Sequence, residues 1–357
     1  MIQKPIPYGH QYITAEDIEA VNSALRSDYL TQGPCITEFE DKFAEYIGCK
    51  YAVAVANGTA ALHLSAMALN VKPGDKVITT PITFVASANC VRYRAVNLEE
   101  FRKVADEYGL WILEDACHAP GGYFLDSNQK EQFCGNGQYT DLAIFSFHPV
   151  KHIACGEGGM ITTNDKELYK KLLLLRTHGI TKGDSEFPYE NSIEFASGGY
   201  ENEKDYPGWY MEMQQLGYNY RLTDFQAALG TSQLKRADVG LNRRREIAES
   251  YYNAFKDKKY IIGQSGVVEG HAYHLYVIEA EDRLNLYKYL RANNIYAQIH
   301  YIPAHLMPYY RQFGYTEGDL PIAENYYKHC ISIPMFPTLT DEEQQYVIKI
   351  IDNFYKK

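Results

Sequence analysis

The sequence predicts an α/β protein whose sheet is mainly parallel and carries helices on both faces, with a smaller α+β unit toward the C-terminus. Three observations predict it. Short apolar runs at Tyr51–Val55, 76–80, 110–113 and 141–146 alternate with helical stretches, the pattern of parallel strands joined by helical crossovers. The 357 residues suffice for a large core and two domains. From about residue 236 helical segments flank strands at 274–278 and 296–300, which divides the chain into a large domain, 1–235, and a small one, 236–357.

Thr14 followed by Asp17 begins a capped helix through Ala20, Val21, Ala24 and Leu25. Leu30-Thr31-Gln32-Gly33-Pro34 breaks the chain. A second amphipathic helix then sets Ile36, Phe39, Phe43 and Ile47 on one side and ends at Gly48. After the strand at 51–55, Asn57-Gly58-Thr59 turns into a helix that starts Ala60-Ala61-Leu62. Residues 76–80 form the next strand, stopped by Pro81. The segment 98–108 is helical, 110–113 and 141–146 are strands, and a glycine turn at 156–159 leads into another. The stretch from about 180 to 210 is polar and rich in glycine and tyrosine, a long surface loop of the kind that often carries function. Thr340 with Glu343 makes the capping box of a last helix holding Val347, Ile350 and Ile351.

Composition narrows the partners. Hydrophobic content is 46% and charged content 22%, ordinary for a globular chain, and the formal net charge is −10. That disfavours nucleic acid or an anionic membrane as the main partner, but not one phosphorylated small molecule held by a local donor cluster. The seven cysteines are odd in number, irregularly spaced and without a CxxC pair, so reduced thiols fit better than a disulfide framework. The first residues lack an apolar signal core, and no apolar span reaches membrane length. The protein is therefore read as cytoplasmic.

Four residue groups could carry chemistry. Asn57-Gly58-Thr59-Ala60 is a strand–turn–helix start whose free N–H groups could bind phosphate, or an ordinary α/β turn. Asp115, in Glu114-Asp115-Ala116-Cys117-His118, sits at the C-terminal end of an apolar strand, where open sheets bind ligands. It could pair with a protonated ring nitrogen or simply cap a helix. Ser146 ends another strand, and Lys151 follows five residues later among apolar strands and glycine turns. Lys151 is either a solvated charge or a half-buried amine that loses its proton readily and becomes a nucleophile. His148 and His152 suggest a metal by residue type alone, without a third spaced ligand. Phosphate turn, acid, hydroxyl and lysine in this order is how pyridoxal 5′-phosphate (PLP) is usually held.

These motifs carry a family resemblance. SDYLTQGP near residue 30, NGTAALHL, TTPITFVASAN, EDACHA, FSFHPVKH with GEGGMITTND, LGYNYRLTD and QIHYIPAH near residue 300 resemble the DegT/StrS-type sugar aminotransferases, which have the PLP-dependent aspartate-aminotransferase fold (type I). Within them the chain most resembles the PseC type, which makes UDP-4-amino-4,6-dideoxy-N-acetyl-β-L-altrosamine for pseudaminic acid. The resemblance implies Lys151 as the lysine that bonds the cofactor aldehyde, Asp115 as the partner of its ring nitrogen and His118 beside the ring. It implies Phe84 stacked on the ring, with Gly58, Thr59 and Ser146 on the phosphate. Asn219 would reach that phosphate from a neighbouring subunit, which implies a homodimer with shared sites. Tyr8, Asp28, Tyr29, Leu30, Thr31, Asn57, His300, Tyr301, Ile302 and Pro303 would line a sugar-nucleotide site, with Arg221 and His305 as weaker candidates. L-glutamate would be the amino donor.

One departure stands out. After Ser87-Ala88-Asn89-Cys90-Val91-Arg92-Tyr93 the family continues through a strand, a helix and a strand, whereas here Arg94 runs straight into Ala95-Val96-Asn97-Leu98. About forty residues, the size of one crossover, are missing. Either the sheet is reduced or a piece is absent from this sequence. Three rivals remain: a PLP-dependent dehydratase, against which Lys151 weighs, a catalytically impaired regulatory relative, and a nicotinamide-dependent enzyme. The last would want GxGxxG after the first strand, and 53–58 does not supply it.

Overall fold

A computed structural model describes residues 4–83, 98–199 and 204–356. Phe84 lies outside them. The elements run in order β1 (Ile6–Pro7), α1 (Ala15–Leu25), α2 (Pro34–Ile47), β2 (Tyr51–Val55), α3 (Gly58–Ala68), α4 (Leu98–Tyr108), β3 (Leu113–Asp115), β4 (Tyr123–Leu125), β5 (Glu131–Phe133), β6 (Leu142–Ser146), β7 (Gly159–Thr163) and α5 (Lys166–Arg176). There follow β8 (Ile180–Thr181), α6 (Ile193–Ala196), β9 (Glu212–Met213), α7 (Asp224–Leu234), α8 (Ala237–Phe255), β10 (Ile261–Gln264), β11 (Tyr276–Ala280), α9 (Arg283–Ala292), β12 (Ile295–Tyr296), α10 (Pro308–Arg311), α11 (Pro321–His329), β13 (Cys330–Ile333) and α12 (Asp341–Tyr355).

The principal sheet has the order β2-β7-β6-β3. β3 and β6 are parallel, and β7 is antiparallel to both β2 and β6. Three strands thus point one way and β7 the other. Alternation assigns the two faces. Ala52, Ala54, Ala143, Phe145 and Met160 pack with Phe39, Phe43 and Ile47 of α2. Val53, Val55, Leu142, Ile144 and Ile161 pack with Leu64 of α3 and Leu172 of α5. A strand buried on both faces is apolar at every position, which is why these runs were legible.

A second core gathers Ile247, Tyr251 and Phe255 of α8, Leu286 and Leu290 of α9, and Val347 and Ile351 of α12 around β11 and β13. Its sheet has the order β10-β11-β13. The capping boxes expected at Thr14/Asp17 and Thr340/Glu343 are both formed, and Gly48 ends α2 in the left-handed region at φ 80°.

Four expected strands differ, the one at 274–278 by a shift to Tyr276–Ala280. Residues 76–80 form no strand, and Val77 and Ile78 are exposed. A strand needs a ladder partner, and among the described residues the sheet ends at β3. The strand expected at 110–113 is displaced to Leu113–Asp115, because only those residues pair with β6. That expected at 296–300 shrinks to β12, which pairs with β1 alone. Within the expected loop, the described residues near 190 and 210 are tied together. Buried Glu212 accepts hydrogen bonds from Glu190 N–H (2.7 Å), Asn191 N–H (2.9 Å) and the Tyr210 hydroxyl (2.9 Å). No helix among the described residues is long and apolar enough to cross a membrane.

Candidate active site

The site is built at one end of the principal sheet. β2 delivers Asn57, whose Oδ1 accepts from Ala60 N–H at 2.8 Å and so caps α3. The first N–H groups of α3 are left to bind an outside acceptor. The turn is tight. A Cβ added at Gly58 would meet Ser146 Cβ at 3.1 Å and Cys117 Sγ at 3.7 Å, so the turn, the end of β6 and the chain after β3 converge. From behind, β7 approaches so closely that a Cβ on Gly159 would lie 2.6 Å from the Asn57 carbonyl.

Buried Glu40 anchors this edge. It accepts from Ala54 N–H (2.7 Å) and from Arg176 (2.5 Å), while Arg176 also donates to the Ala54 carbonyl (2.8 Å). Burial raises the Glu40 carboxyl even so, with Arg176 pulling the other way. Ala56 N–H then donates to Tyr220 O at 2.8 Å, which lays the segment carrying Asn219 and Arg221 beside the turn.

Asp115 ends β3 in register with Ile144 of β6 and accepts from Cys117 N–H at 3.0 Å. Lys151 follows β6 in a turn, its N–H donating to His148 O at 2.8 Å. Its side chain is partly buried. Desolvation lowers its affinity for a proton, buried Arg244 lowers it further, and Cys117 and Asp115 act in the opposite sense. The His118 and His274 rings lie 4.1 Å apart between centroids, and His152 is 5.7 Å from His274. Burial drives all three imidazoles well below their ordinary range. His300 is pushed down to about 3 by burial and by Lys151. At neutral pH these rings are uncharged.

The N-terminal and C-terminal segments complete the walls. The Tyr8 and His300 rings lie 5.1 Å apart, tilted at 57°, and His300 meets Tyr301 at 4.6 Å. Burial raises the Tyr301 phenol, with Tyr8, Asp115 and Cys117 adding to the effect. Pro303 precedes Ala304, whose N–H donates to Pro81 O at 2.7 Å. Ile302 is exposed.

Lys151, Asp115, His118, Gly58, Ser146, Asn57, Tyr8, His300 and Tyr301 are thus linked by contacts or electrostatic neighbours. Others stand apart. Thr59 and Asn219 are exposed, and Asn219 bridges Thr177. Asp28, Tyr29, Leu30 and Thr31 are exposed on a loop clipped to α7: Asp224 N–H donates to Leu30 O (3.0 Å) and Thr31 bridges Thr223. Arg221 is half-buried, its Nε without a hydrogen-bond partner among the described residues. His305 is buried against Glu324, with Nε2 2.9 Å from Oε1.

Sequence reasoning missed three neighbours. Cys117 reads as filler in EDACHA, His274 as the start of a strand, and Arg244 as one of three surface charges in NRRRE. The one available signal was a charged residue at a position facing the helix's apolar stripe, four residues after Gly240 and three before Ile247.

This set fits a phosphorylated aldehyde cofactor. It offers a helix N-terminus with a hydroxyl beside it, an amine whose proton affinity burial lowers, and a carboxylate at the strand end. The buried Nδ1 atoms of His152 and His274 lack hydrogen-bond partners, so the floor has polar capacity to spare.

The chain is similar to several known proteins along nearly its whole length. A Bacillus subtilis protein named spore coat polysaccharide biosynthesis protein SpsC is 35% identical over 100% of this chain and 99% of its own length. A Campylobacter jejuni UDP-4-amino-4,6-dideoxy-N-acetyl-beta-L-altrosamine transaminase is 31% identical over 96% of this chain and 95% of its own. Among solved structures, Helicobacter pylori PseC, an aminotransferase involved in the biosynthesis of pseudoaminic acid, superposes with a TM-score of 0.84 at 28% identity, covering 99% of this chain and 100% of that one. The fold is therefore that of the PLP-dependent sugar aminotransferases, type I. The family match falls in two pieces, residues 11–97 and 94–352, with the break where the crossover was found missing. Together these two pieces span most of the chain, which belongs to the DegT/DnrJ/EryC1/StrS aminotransferase family.

Proposed function

We propose that this protein binds PLP through Lys151 and transfers the amino group of L-glutamate to a 4-keto-6-deoxy sugar nucleotide, UDP-linked and on a route to pseudaminic acid. The observation that carries this reading is a partly buried lysine, its proton affinity lowered by desolvation, that interacts electrostatically with the strand-end Asp115 and with Cys117, beside which the α3 turn converges on Ser146. The names of the Campylobacter and Helicobacter relatives support the substrate class.

Bound PLP would supply an electron sink for the carbon that loses its proton. The chain's own residues do the rest. Gly58, Thr59 and Ser146 hold the phosphate. Asp115 keeps the ring nitrogen protonated, and His118 lies beside the ring. Lys151 Nζ takes a proton from the donor α-carbon and returns it at the cofactor's C4′, which requires a neutral amine at working pH. Desolvation and Arg244 favour that state. Tyr8, Asn57, His300, Tyr301, Ile302 and Pro303 line the sugar-nucleotide side, with Asp28, Tyr29, Leu30, Thr31, Arg221 and, less directly, His305 bordering it. Exposed Asn219 reaches the phosphate of a second copy, so the working unit is a homodimer with shared sites, built from a large domain, 1–235, and a small one, 236–357, in the cytoplasm.

The test mixes the PLP-loaded protein with L-glutamate and follows the visible absorbance. Bleaching by glutamate, and recovery with one keto-sugar nucleotide among several, is the expected result. Loss of the sugar's hydroxyl without release of 2-oxoglutarate would replace transamination with dehydration. No response to any amino donor would sink the proposal.

A further inference from the structure

We infer that His274 is a positioning residue that fixes the pose of His118 in the cofactor site, and that Arg244 clamps the backbone from which His274 projects. The inference rests on the cofactor reading above.

The three imidazoles come from different parts of the chain. His118 follows β3, His152 follows Lys151, and His274 leads into β11 of the second sheet. His274 is 6% exposed, with its ring 4.1 Å from His118 at 45° and 5.7 Å from His152 at 42°. Its Nδ1 has no hydrogen-bond partner among the described residues. The ring therefore packs as an apolar body, tilted against two neighbouring imidazoles.

Its backbone is held from two sides. His152 Nε2–H donates to Ala272 O at 2.8 Å. Arg244 of α8 donates through Nη1 to the carbonyls of Tyr273 (3.2 Å), His274 (3.2 Å) and Met335 (3.0 Å). Arg244 is 1% exposed and has no carboxylate partner among the described residues. A guanidinium is costly to bury unpaired. Here it ties α8 to the approaches of β11 and to the turn after β13. The Arg244 clamp on α8 thus reaches the His118 ring through His274. A residue that only filled space would not need a buried cation to register its backbone.

The test compares PLP-loaded wild type with His274→Ala, His274→Phe and Arg244→Lys. The measurements are cofactor content, visible circular dichroism of the bound cofactor, and kcat and KM for the amino acceptor. In His274→Ala the cofactor content should hold while the dichroic signal falls by about half and kcat by about tenfold, with KM little changed. His274→Phe, which keeps a flat ring, should restore both to within about twofold of wild type. Arg244→Lys, which keeps the charge but is too short to bring a donor to where Nη1 meets all three carbonyls, should resemble His274→Ala in direction. A wild-type dichroic signal and kcat in His274→Ala would overturn the inference. So would a Phe variant as impaired as the Ala variant, since the nitrogens rather than the ring body would then matter. If His274→Ala fails to fold, the Phe and Lys variants decide it. A wild-type protein with no visible band at all would instead remove the cofactor reading, and this inference with it.

Discussion

The two flanks of the principal sheet are built unequally. On the β2 flank every residue from Ala52 to Val55 is buried, the Glu40–Arg176 pair ties α2 to β2, and the segment around Tyr220 seals the strand's end. On the β3 flank Leu113, Glu114 and Asp115 are only partly buried. Large apolar side chains in the segments that precede it are open to solvent: Val77 at 73%, Ile78 at 92%, Phe101 at 59% and Trp111 at 59%. The comparison with SpsC extends over 408 positions against 357 residues here, so the relative carries residues without a counterpart, and the family match breaks at 94–97. The difference teaches where the chemistry is secure. Asn57, Ser146 and Lys151 lie at or just after the ends of strands buried on both faces, whereas Asp115 ends β3, the outermost strand on its side among the described residues.

The largest effect expected on the sealed side is chemical. Lys151→Ala should lower turnover by at least about 10³-fold, since the proposed nucleophile and proton carrier vanish together. Steady-state assay of amino transfer checks it, and retention of a tenth of the activity would remove Lys151 from the mechanism. Next comes packing. Phe43→Ala should cost about 3–5 kcal/mol, because its ring is fully buried against Phe145 (4.9 Å) and Phe147 (5.4 Å). A denaturant midpoint close to wild type would show that the sealed flank is looser than its burial implies. Gly159→Ala is expected to cost about 1–3 kcal/mol and to weaken PLP retention, since its Cβ would press on Asn57. Dialysis against buffer measures the second effect.

Much of this was legible because doubly buried strands and capped helices announce themselves locally. The Thr14/Asp17 and Thr340/Glu343 boxes and the uniform runs at β2 and β6 need no long-range information. The candidate site was legible where it follows a strand end: Asn57, Asp115, Ser146 and Lys151. The rest depends on contacts that sequence distance hides. His274 meets His118 across 156 positions of chain, and Arg244 looks like its exposed neighbours until α8 is packed. The failed strand at 76–80 has the same cause in reverse. Its local pattern was strand-like, but pairing is decided by a neighbour elsewhere.

The carboxylates on the edge strand offer a pH test of the same contrast. Burial pushes the Glu114 carboxyl up to about 7, with Asp115 adding to the rise and the Gly135 N–H (2.9 Å) opposing it. The unfolded value is about 4.3. Between the two the folded chain holds an extra proton, so this contribution is complete below about pH 4.3 and is lost as pH rises through about 7. Glu114→Gln cannot lose that proton. Its melting temperature relative to wild type should therefore climb between about pH 5 and pH 8. Parallel curves would mean that the edge strand is solvated enough to leave Glu114 an ordinary acid.

The smallest effect on stability belongs to the open flank, and it sharpens the comparison most. Phe101, Val104 and Tyr108 recur at helical spacing on α4 and are all more than half exposed, with Leu110 and Trp111 following. An apolar side chain already in water loses little when it is replaced, so Phe101→Ser and Trp111→Ser should each shift stability by no more than about 0.5 kcal/mol, far below Phe43→Ala. Exposed apolar surface of this extent does favour association. The double variant should then scatter less light than wild type at high protein concentration while melting at nearly the same temperature. If either substitution costs as much as a core truncation, those rings are covered in solution, and the two flanks are more alike than their exposures indicate.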